Sequence, residues 1–180
     1  GGRSMLARII ERARPQVSTL IINANGDGGR FADYGLDVVP DVIGDFAGPL
    51  AGVLTGLEWT AEHAPETEWV ATFATDAPFV PADLVDRLLA ALKRDNAEMA
   101  CAASNGRTHP VFGLWPVALA AELRQAMSEE DIRKIGRWTA RYNLIELDFA
   151  ADPFDPFFNI NAPENLTEAE RLLSTERGAA

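Results

Sequence analysis

Short apolar runs alternate with amphipathic segments along the first half of this 180-residue chain. β-Branched and aromatic runs predict strands at residues 19–22, 38–39 and 69–75. Apolar positions three and four residues apart predict helices at residues 4–14, from residue 49 to about 61, and 81–95. This alternation favours an α/β fold of three layers, with helices on both faces of a mainly parallel sheet. The whole chain, residues 1–180, is interpreted as one domain.

The second half of the chain alternates less regularly. Apolar runs predict further strands at residues 99–103, 111–115 and 144–149, the first two joined by a polar turn at 104–109. Helices are predicted near residues 118–127 and 131–142, with a last helix from about 163 to 174. Pro163 suits the first position of that last helix, which makes Ala162 its cap residue. Because alanine has no capping side chain, we expect Ala162→Thr to stabilise the protein by about 1 kcal/mol.

One carboxylate follows the most apolar of the predicted strands. The run from Trp69 to Phe73 leads to Asp76 just beyond its carboxyl end, and Pro78 stops the strand there. Open α/β sheets bind ligands outside the carboxyl ends of their strands, where a lone Asp can hold a divalent cation against phosphate oxygens. Asp41 similarly follows the strand at residues 38–39. We expect both carboxylates to face one crevice, the alternative being that each only caps a local turn.

Amide side chains and the start of a helix could complete this crevice. Asn23 ends the first strand with Asn25 beside it, and an amide can recognise a base or ribose because it both donates and accepts hydrogen bonds. A structural role in a turn is the alternative for both asparagines. Gly48 and Pro49 open a helix whose free N–H groups can bind an anion.

Two later segments offer further candidates for ligand contact. Asn159 and Asn161 alternate along an extended segment, so their side chains should point to the same side. His109 precedes a strand and could contact a substrate, although a lone histidine is more often structural. Residues 26–30 lack the known phosphate-loop patterns and are interpreted as a flexible turn. No Ser-His-Asp or Cys-His catalytic set is apparent.

Composition narrows the classes of function. The formal net charge is −11, which argues against unspecific nucleic-acid binding because such binding needs Lys and Arg. Cys101 is the only cysteine and there are two histidines, so neither an intrachain disulfide nor a cysteine- or histidine-based zinc site is expected. No apolar run is long enough to cross a bilayer, and no secretory signal is visible. We therefore expect a cytoplasmic protein that binds neither a membrane nor nucleic acid.

Four separated segments carry a resemblance to a known family. They are Ile22-Asn23-Ala24-Asn25; Pro40-Asp41 with Gly48-Pro49-Leu50-Ala51-Gly52; Thr75-Asp76-Ala77-Pro78 with Pro81-Ala82-Asp83-Leu84; and Asn159-Ile160-Asn161-Ala162-Pro163-Glu164. In their order and spacing they resemble the molybdenum cofactor guanylyltransferases, the MobA-type nucleotidyltransferases, over essentially the whole chain. The resemblance implies a Rossmann-like, GT-A-like nucleotidyltransferase fold.

The resemblance also implies an activity and its partners. The activity is Mg²⁺-dependent transfer of GMP from GTP to molybdenum-bound molybdopterin, with release of pyrophosphate. Asp76 matches the family's Mg²⁺-binding catalytic residue. Proteins that deliver molybdopterin, or that mature molybdoenzymes, are implied as further partners.

The remaining candidates divide between the two substrates. Those that match the nucleotide site, together with Asp76, are Asn23, Asp41, Gly48 and Pro49. Those placed toward molybdopterin are Asn159, Asn161 and His109. Related nucleotidyltransferases use a late polar residue as a second metal ligand, which is an alternative role for Asn161.

One part of the family pattern is missing from the chain. The family begins with a strand and the loop Leu-Ala-Gly-Gly-x-x-x-Arg-Met-Gly, which holds the triphosphate, and neither precedes the helix at residues 4–14. We expect either that this first strand and phosphate loop lie outside the sequence or that the chain is a degenerate relative. Alternative functions are a molybdopterin cytidylyltransferase, a sugar-phosphate nucleotidyltransferase, or a carrier that binds the cofactor without catalysis.

Overall fold

The computed structural model describes residues 2–44, 48–161 and 165. The helices within these residues are α1 (Met5–Ala13), α2 (Pro49–His63), α3 (Leu84–Asp95), α4 (Ala120–Glu129) and α5 (Ile135–Thr139). The strands are β1 (Ile21–Asn23), β2 (Asp37–Val39), β3 (Trp69–Ala71), β4 (Met99–Ser104), β5 (Arg107–Pro116) and β6 (Leu144–Asp148). None of the helices in this part of the chain is both long and apolar enough to cross a membrane.

The predicted helix starts are explained by local chemistry. The Ser4 side chain accepts a hydrogen bond from the Ala7 N–H at 3.1 Å, which caps α1 as expected. Pro49 occupies the first position of α2, where its missing N–H costs nothing. The helix predicted from residue 81 begins later, at Leu84, because Pro81 lies in a turn in which its carbonyl accepts from the Leu84 N–H.

The strands form a two-stranded and a four-stranded sheet. In the first sheet β1 and β2 are parallel, with Ile22 opposite Val38. The second has the order β3-β5-β4-β6, in which β5 is antiparallel to both neighbours and β4 is parallel to β6. The predicted α/β, Rossmann-like architecture is confirmed. The prediction of a mainly parallel sheet is wrong, because β5 runs antiparallel to both of its neighbours and only the β1–β2 and β4–β6 pairs are parallel.

A tight hairpin makes β5 antiparallel to β4. Asn105 and Gly106 connect the two strands with positive φ angles of 49° and 71°, the geometry that two-residue hairpins prefer. The polar turn predicted at residues 104–109 is therefore shorter than expected, and His109 lies inside β5. The register shifts at a bulge between Cys101 and Ala102, and Pro110 supplies no N–H to the ladder.

Two hydrophobic clusters lie on opposite faces of the four-stranded sheet. On one face, Leu84 and Leu88 of α3 pack with Phe112 of β5. On the other face, Leu54 of α2 packs with Trp115 of β5 and with residues of α4 and α5. Because neighbouring strand residues point to opposite faces, β5 contributes to both clusters. This arrangement confirms the predicted layers of helices on both sides of the sheet.

Three further sequence predictions differ from the structure. Residues 26–30 are not a simple turn, because Gly28–Tyr34 forms a 3-10 helix whose N-terminal N–H of Gly29 is capped by Asp27. The strand predicted at residues 69–75 ends at Ala71, next to the part of β5 where its pairing with β4 becomes irregular. The helix predicted at 131–142 is reduced to α5, because Asp131 has a φ of 52° and Lys134 is extended.

The last predicted helix, at about residues 163–174, lies outside the described residues except for Asn165. The cap assigned to Ala162 also lies outside them.

Candidate functional site

A cavity of about 800 Å³ separates the two sheets. Its side walls include the edge strands β1 and β3, and residues of α1 and α2 also line it. In the described residues, β1 pairs only with β2 and β3 pairs only with β5, so each strand has an unpaired edge. Most of the residues that line the cavity are apolar.

Five of the predicted site residues line this one cavity. They are Asn23, Asp41, Gly48, Pro49 and Asp76. They come from the ends of β1 and β2, the start of α2 and the segment after β3. The expectation that Asp41 and Asp76 share a crevice is therefore confirmed. Asn159, Asn161 and His109 are not among the lining residues.

Asp41 is held by two amides in the polar part of the cavity. Asn23 Nδ2 donates to Asp41 Oδ1 at 3.0 Å, and Asn25 Nδ2 donates to Asp41 Oδ2 at 2.8 Å. The Asp41 N–H donates in return to Asn25 Oδ1 at 2.9 Å. Each carboxylate oxygen accepts one amide hydrogen bond and keeps further acceptor capacity. Asp41 is thus oriented for a ligand that offers hydrogen-bond donors.

Two glycines allow helix α2 to lie close to Asn23 and to β3. A Cβ placed on Gly52 would lie 2.7 Å from Asn23 Oδ1, closer than any ordinary contact, so only glycine leaves room for that side chain. One turn later, a Cβ on Gly56 would lie 3.2 Å from Val70 Cγ1 of β3. Residues with the spacing i and i+4 share one helix face. Gly52 and Gly56 therefore let α2 approach both sheets closely.

The loop after Asp41 is also fixed to α2. The Val42 N–H donates to Thr55 Oγ1 at 3.2 Å, and this buried hydroxyl donates to the Ala51 carbonyl at 2.9 Å. At the start of the helix, Gly48 has no side chain to cap the first turn. Amide N–H groups at such an end are suited to bind an anion.

Asp76 is joined to the late asparagine segment through the backbone. The Ile160 N–H donates to the Asp76 carbonyl at 2.8 Å. Ile160 packs against the cluster of Phe79, while Asn159 and Asn161 on either side of it are exposed. This arrangement agrees with the alternation expected for the two asparagines, and it brings their segment beside Asp76.

His109 belongs to a different set of contacts, which could not be predicted from the sequence. Its Nε2 lies 2.7 Å from Ser104 Oγ, and Ser104 Oγ donates to Asp155 Oδ1 at 2.8 Å. Burial lowers the pKa of His109, with Asp155 acting in the opposite direction and Arg107 adding to the decrease. Ser104, His109 and Asp155 are therefore hydrogen-bonded neighbours, although the serine lies between the other two and the order is not that of a catalytic triad. No spacing rule would have found this arrangement, because Ser104 and Asp155 are far apart in sequence.

The cavity can hold a divalent cation only with help from a ligand. Within the described residues, no group of three or more His, Cys, Asp or Glu side chains could form a metal site. Magnesium-type sites often use one or two carboxylates together with substrate phosphates and waters. Asp76, the lone carboxylate after β3, fits such an ion when a nucleotide brings it.

Positive charge lies beside this cavity, where Arg133 and Lys134 flank Gly48 and Pro49, and not along its lining. No lysine or arginine is among the residues that the structure describes along the cavity wall. A triphosphate carries several negative charges that a site must neutralise. The described residues that line the cavity supply hydrogen bonds and carboxylates for such a ligand, but no cationic side chain.

Comparison with known proteins supports a nucleotide site. Residues 1–143 match the MobA-like NTP transferase domain. The chain is 53% identical over 175 residues to the molybdenum cofactor guanylyltransferase of Bradyrhizobium sp. (strain ORS 278), covering 97% of the chain and 82% of that relative. It is also 53% identical over 171 residues to the protein of the same name from Rhodopseudomonas palustris (strain BisB5), covering 95% and 81%.

Solved structures agree on the fold. Molybdopterin-guanine dinucleotide biosynthesis protein A from Archaeoglobus fulgidus superposes with a TM-score of 0.72 at 21% identity, covering 97% of the chain and 87% of that structure. CMP:2-keto-3-deoxy-manno-octonic acid synthetase, solved with CTP, gives a TM-score of 0.65 at 14% identity, covering 96% and 88%. The names of the sequence relatives do not favour a cytidylyltransferase, a sugar-phosphate enzyme or a carrier. The chain belongs to the family of MobA-like NTP transferase domains.

Proposed function

We propose that the protein transfers GMP from GTP to molybdenum-bound molybdopterin and releases pyrophosphate. The observation that carries this proposal is the single cavity lined by Asn23, Asp41 and Asp76. Its polar residues come from three strand ends, where nucleotides bind in open α/β sheets. The relatives named molybdenum cofactor guanylyltransferase, at 53% identity, support the choice of substrates.

The reaction places few chemical demands on the protein. A phosphate oxygen of molybdopterin attacks the α-phosphorus of GTP, the new P–O bond forms, and the bond to the β-phosphate breaks. The attacking phosphate is already ionised, so no strong general base is needed. Alignment of the two phosphates and neutralisation of their charge are the main requirements. A cavity with Asp76 and without a catalytic histidine or cysteine suits this chemistry.

Asp76 is the proposed holder of Mg²⁺. When bound with the nucleotide, Mg²⁺ would neutralise charge on the phosphate oxygens. The hydrogen bond from Ile160 to the Asp76 carbonyl supports a place for Asn159 and Asn161 on the molybdopterin side. Asn161 is an alternative second ligand, because its amide oxygen is a donor atom that Mg²⁺ accepts.

Asp41 is the proposed guanine-recognition residue. Guanine presents its N1–H and its exocyclic amine side by side, and a carboxylate held by Asn23 and Asn25 can accept from both. Cytosine offers only one amine at its edge. A ribose diol could also donate to Asp41, but this contact would then contribute equally to the binding of all nucleotides.

The experiment that separates these possibilities is nucleotide competition with Asp41→Asn. We expect this variant to lower the preference for GTP over CTP at least about tenfold. The NH₂ group of the new amide is a donor and would face one of the two guanine donors. Asp33→Asn removes an exposed carboxylate that does not line the cavity and serves as a control. An equal loss of kcat/KM for GTP and CTP would assign Asp41 to the ribose instead.

We further propose that an extended segment fills the space between β1 and β3 and carries the missing cations. The two unpaired strand edges and the apolar walls suit an added strand, which gains main-chain hydrogen bonds on both sides. The Leu-Ala-Gly-Gly-x-x-x-Arg-Met-Gly loop of the family would then begin at the carboxyl end of that strand, near Gly48. The arginine of this loop would then place positive charge near the phosphates.

A fusion tests the added strand. We would compare the 180-residue chain with the same chain preceded by a β-branched strand and this loop. The extension should tighten GTP binding at least about tenfold and protect the cavity-facing amides of β1 and β3 from hydrogen exchange. Unchanged exchange in both strands would show that the segment lies elsewhere. Cytoplasmic location and partner proteins that deliver molybdopterin stay predictions.

A further inference from the structure

A chain of three polar side chains joins the end of β4 to the loop after β6. Ser104 is fully buried. Its Oγ donates to Asp155 Oδ1 at 2.8 Å and lies 2.7 Å from His109 Nε2. A hydroxyl has one proton to donate. Because that proton goes to Asp155, the serine oxygen accepts from the Nε2–H of His109.

The direction of these hydrogen bonds excludes a nucleophilic serine. In a Ser-His-Asp hydrolase the histidine accepts the serine proton, and the carboxylate contacts the other side of the imidazole. Here the donors run from His109 to Ser104 and then to Asp155. The serine is in the middle and its proton belongs to a carboxylate. The arrangement is built to hold groups in place and not to activate a nucleophile.

The carboxylate of Asp155 organises the loop that follows it. The same Oδ1 atom accepts from the Phe157 N–H at 2.9 Å. The buried Phe157 ring packs against His109, with 4.8 Å between ring centroids, and against Phe112 at 4.9 Å. The turn at residues 155–158 is therefore fixed to the sheet by both polar and apolar contacts.

This turn leads directly to the candidate site. Three residues after Phe157, the Ile160 N–H donates to the Asp76 carbonyl at 2.8 Å. The exposed Asn159 and Asn161 flank this bond. The position of both asparagines relative to Asp76 is therefore set at one end by the Ile160 bond and at the other by Asp155.

We propose that His109, Ser104 and Asp155 form a positioning strut that holds Asn159 and Asn161 beside Asp76. In this role His109 is a positioning residue and not a substrate contact, since its Nε2 is engaged and its side chain does not line the cavity. The consequence for catalysis rests on the proposed guanylyl transfer. The mechanical role does not, because it concerns only the contacts of this chain.

Hydrogen exchange of the Ile160 amide tests the strut without any substrate. Ser104→Ala and His109→Leu should each speed Ile160 exchange at least about tenfold. Each variant removes a hydrogen bond from the set that ends at the charged Asp155 carboxylate, and the turn that this carboxylate holds becomes less stable. His109→Gln should restore slow exchange, because its amide Nε2 can donate to Ser104. Thr139→Ala removes another buried hydroxyl, in α5 on the opposite face of the sheet, and should leave Ile160 exchange unchanged.

Asp155→Asn covers the case in which Ser104→Ala does not fold. It keeps the side-chain shape but replaces the charged acceptor by a weaker neutral one, so Ile160 exchange should rise by a smaller factor. Unchanged Ile160 exchange in folded Ser104→Ala, His109→Leu and Asp155→Asn would overturn the strut. Failure of His109→Gln to restore slow exchange would also overturn it.

Steady-state kinetics then link the strut to the second substrate. His109→Leu should raise the KM for molybdopterin about tenfold and leave the KM for GTP unchanged, with rescue by His109→Gln. Equal changes in both KM values would contradict a role limited to the asparagine segment. If the wild-type protein shows no guanylyl transfer while Ile160 exchange responds as expected, the proposed function fails and the strut stands.

Discussion

Replacement of Gly52 by alanine separates nucleotide binding from folding. The new Cβ would lie 2.7 Å from Asn23 Oδ1, so the Asn23 side chain must move. Asn23 would then lose its hydrogen bonds to Asp41 Oδ1 and to the Val39 carbonyl, both of 3.0 Å. Asp41 would keep only the amide of Asn25.

The expected change in the free energy of unfolding is small. Alanine in place of glycine inside a helix gains about 1 kcal/mol. The two lost hydrogen bonds contribute about 0.5–1.5 kcal/mol each, toward the lower end because Asn23 is exposed. The net destabilisation is therefore between zero and about 2 kcal/mol, which lowers Tm by no more than about 8 °C in a domain of this size.

Nucleotide binding should respond much more strongly than stability. We expect the KM for GTP to rise about tenfold in Gly52→Ala, because the Asp41 carboxylate is no longer oriented by Asn23. Gly136→Ala in α5 is a matched control, since a Cβ there has no neighbour within 4 Å among the described atoms. An unchanged KM, with NMR showing Asn23 displaced, would refute a nucleotide role for the Asn23–Asp41 pair. A loss above about 3 kcal/mol would show that the helix backbone moves instead.

The remaining predictions concern groups outside the cavity. Burial, with the negative charge of Glu146 adding to it, raises the pKa of Cys101 to about 12. Its alkylation at pH 8 should therefore be about a thousandfold slower in the folded than in the unfolded protein, and comparable rates in a mass assay would contradict this burial. Burial lowers the pKa of His109 below its ordinary value near 6.5, so the unfolded state binds the proton more readily. This contribution to stability is present above pH 6.5 and is lost as the pH falls through the folded-state pKa; denaturant titrations should show a shallower acid decline in His109→Gln, and identical pH profiles would contradict it.

The strand-end residues of the site could be predicted because they follow from chain direction alone. Asp76, Asp41 and Asn23 each follow an apolar run, and α/β topology brings such ends together. The glycine requirement at Gly52 could not be predicted, since it depends on the distance between α2 and the Asn23 side chain in space. The link between Ser104 and Asp155 was missed for the same reason.

The direction of β5 could have been predicted from a local signal. Asn105-Gly106 is the dipeptide that most strongly favours a two-residue hairpin, and it lies between two apolar strands. The boundaries of β3 and α5 could not be predicted from the sequence. They depend on the bulge in the neighbouring strands and on the positive φ of Asp131, neither of which the hydrophobic pattern reveals.

The central claim is tested most directly by pyrophosphate release from GTP and molybdenum-bound molybdopterin, measured with and without Mg²⁺ and with the phosphate loop present. The account predicts Mg²⁺-dependent release by the wild-type protein and a loss of at least about a hundredfold in Asp76→Asn, with the Tm of the variant unchanged. Equal rates for wild type and Asp76→Asn, or molybdopterin binding without any release of pyrophosphate, would contradict it.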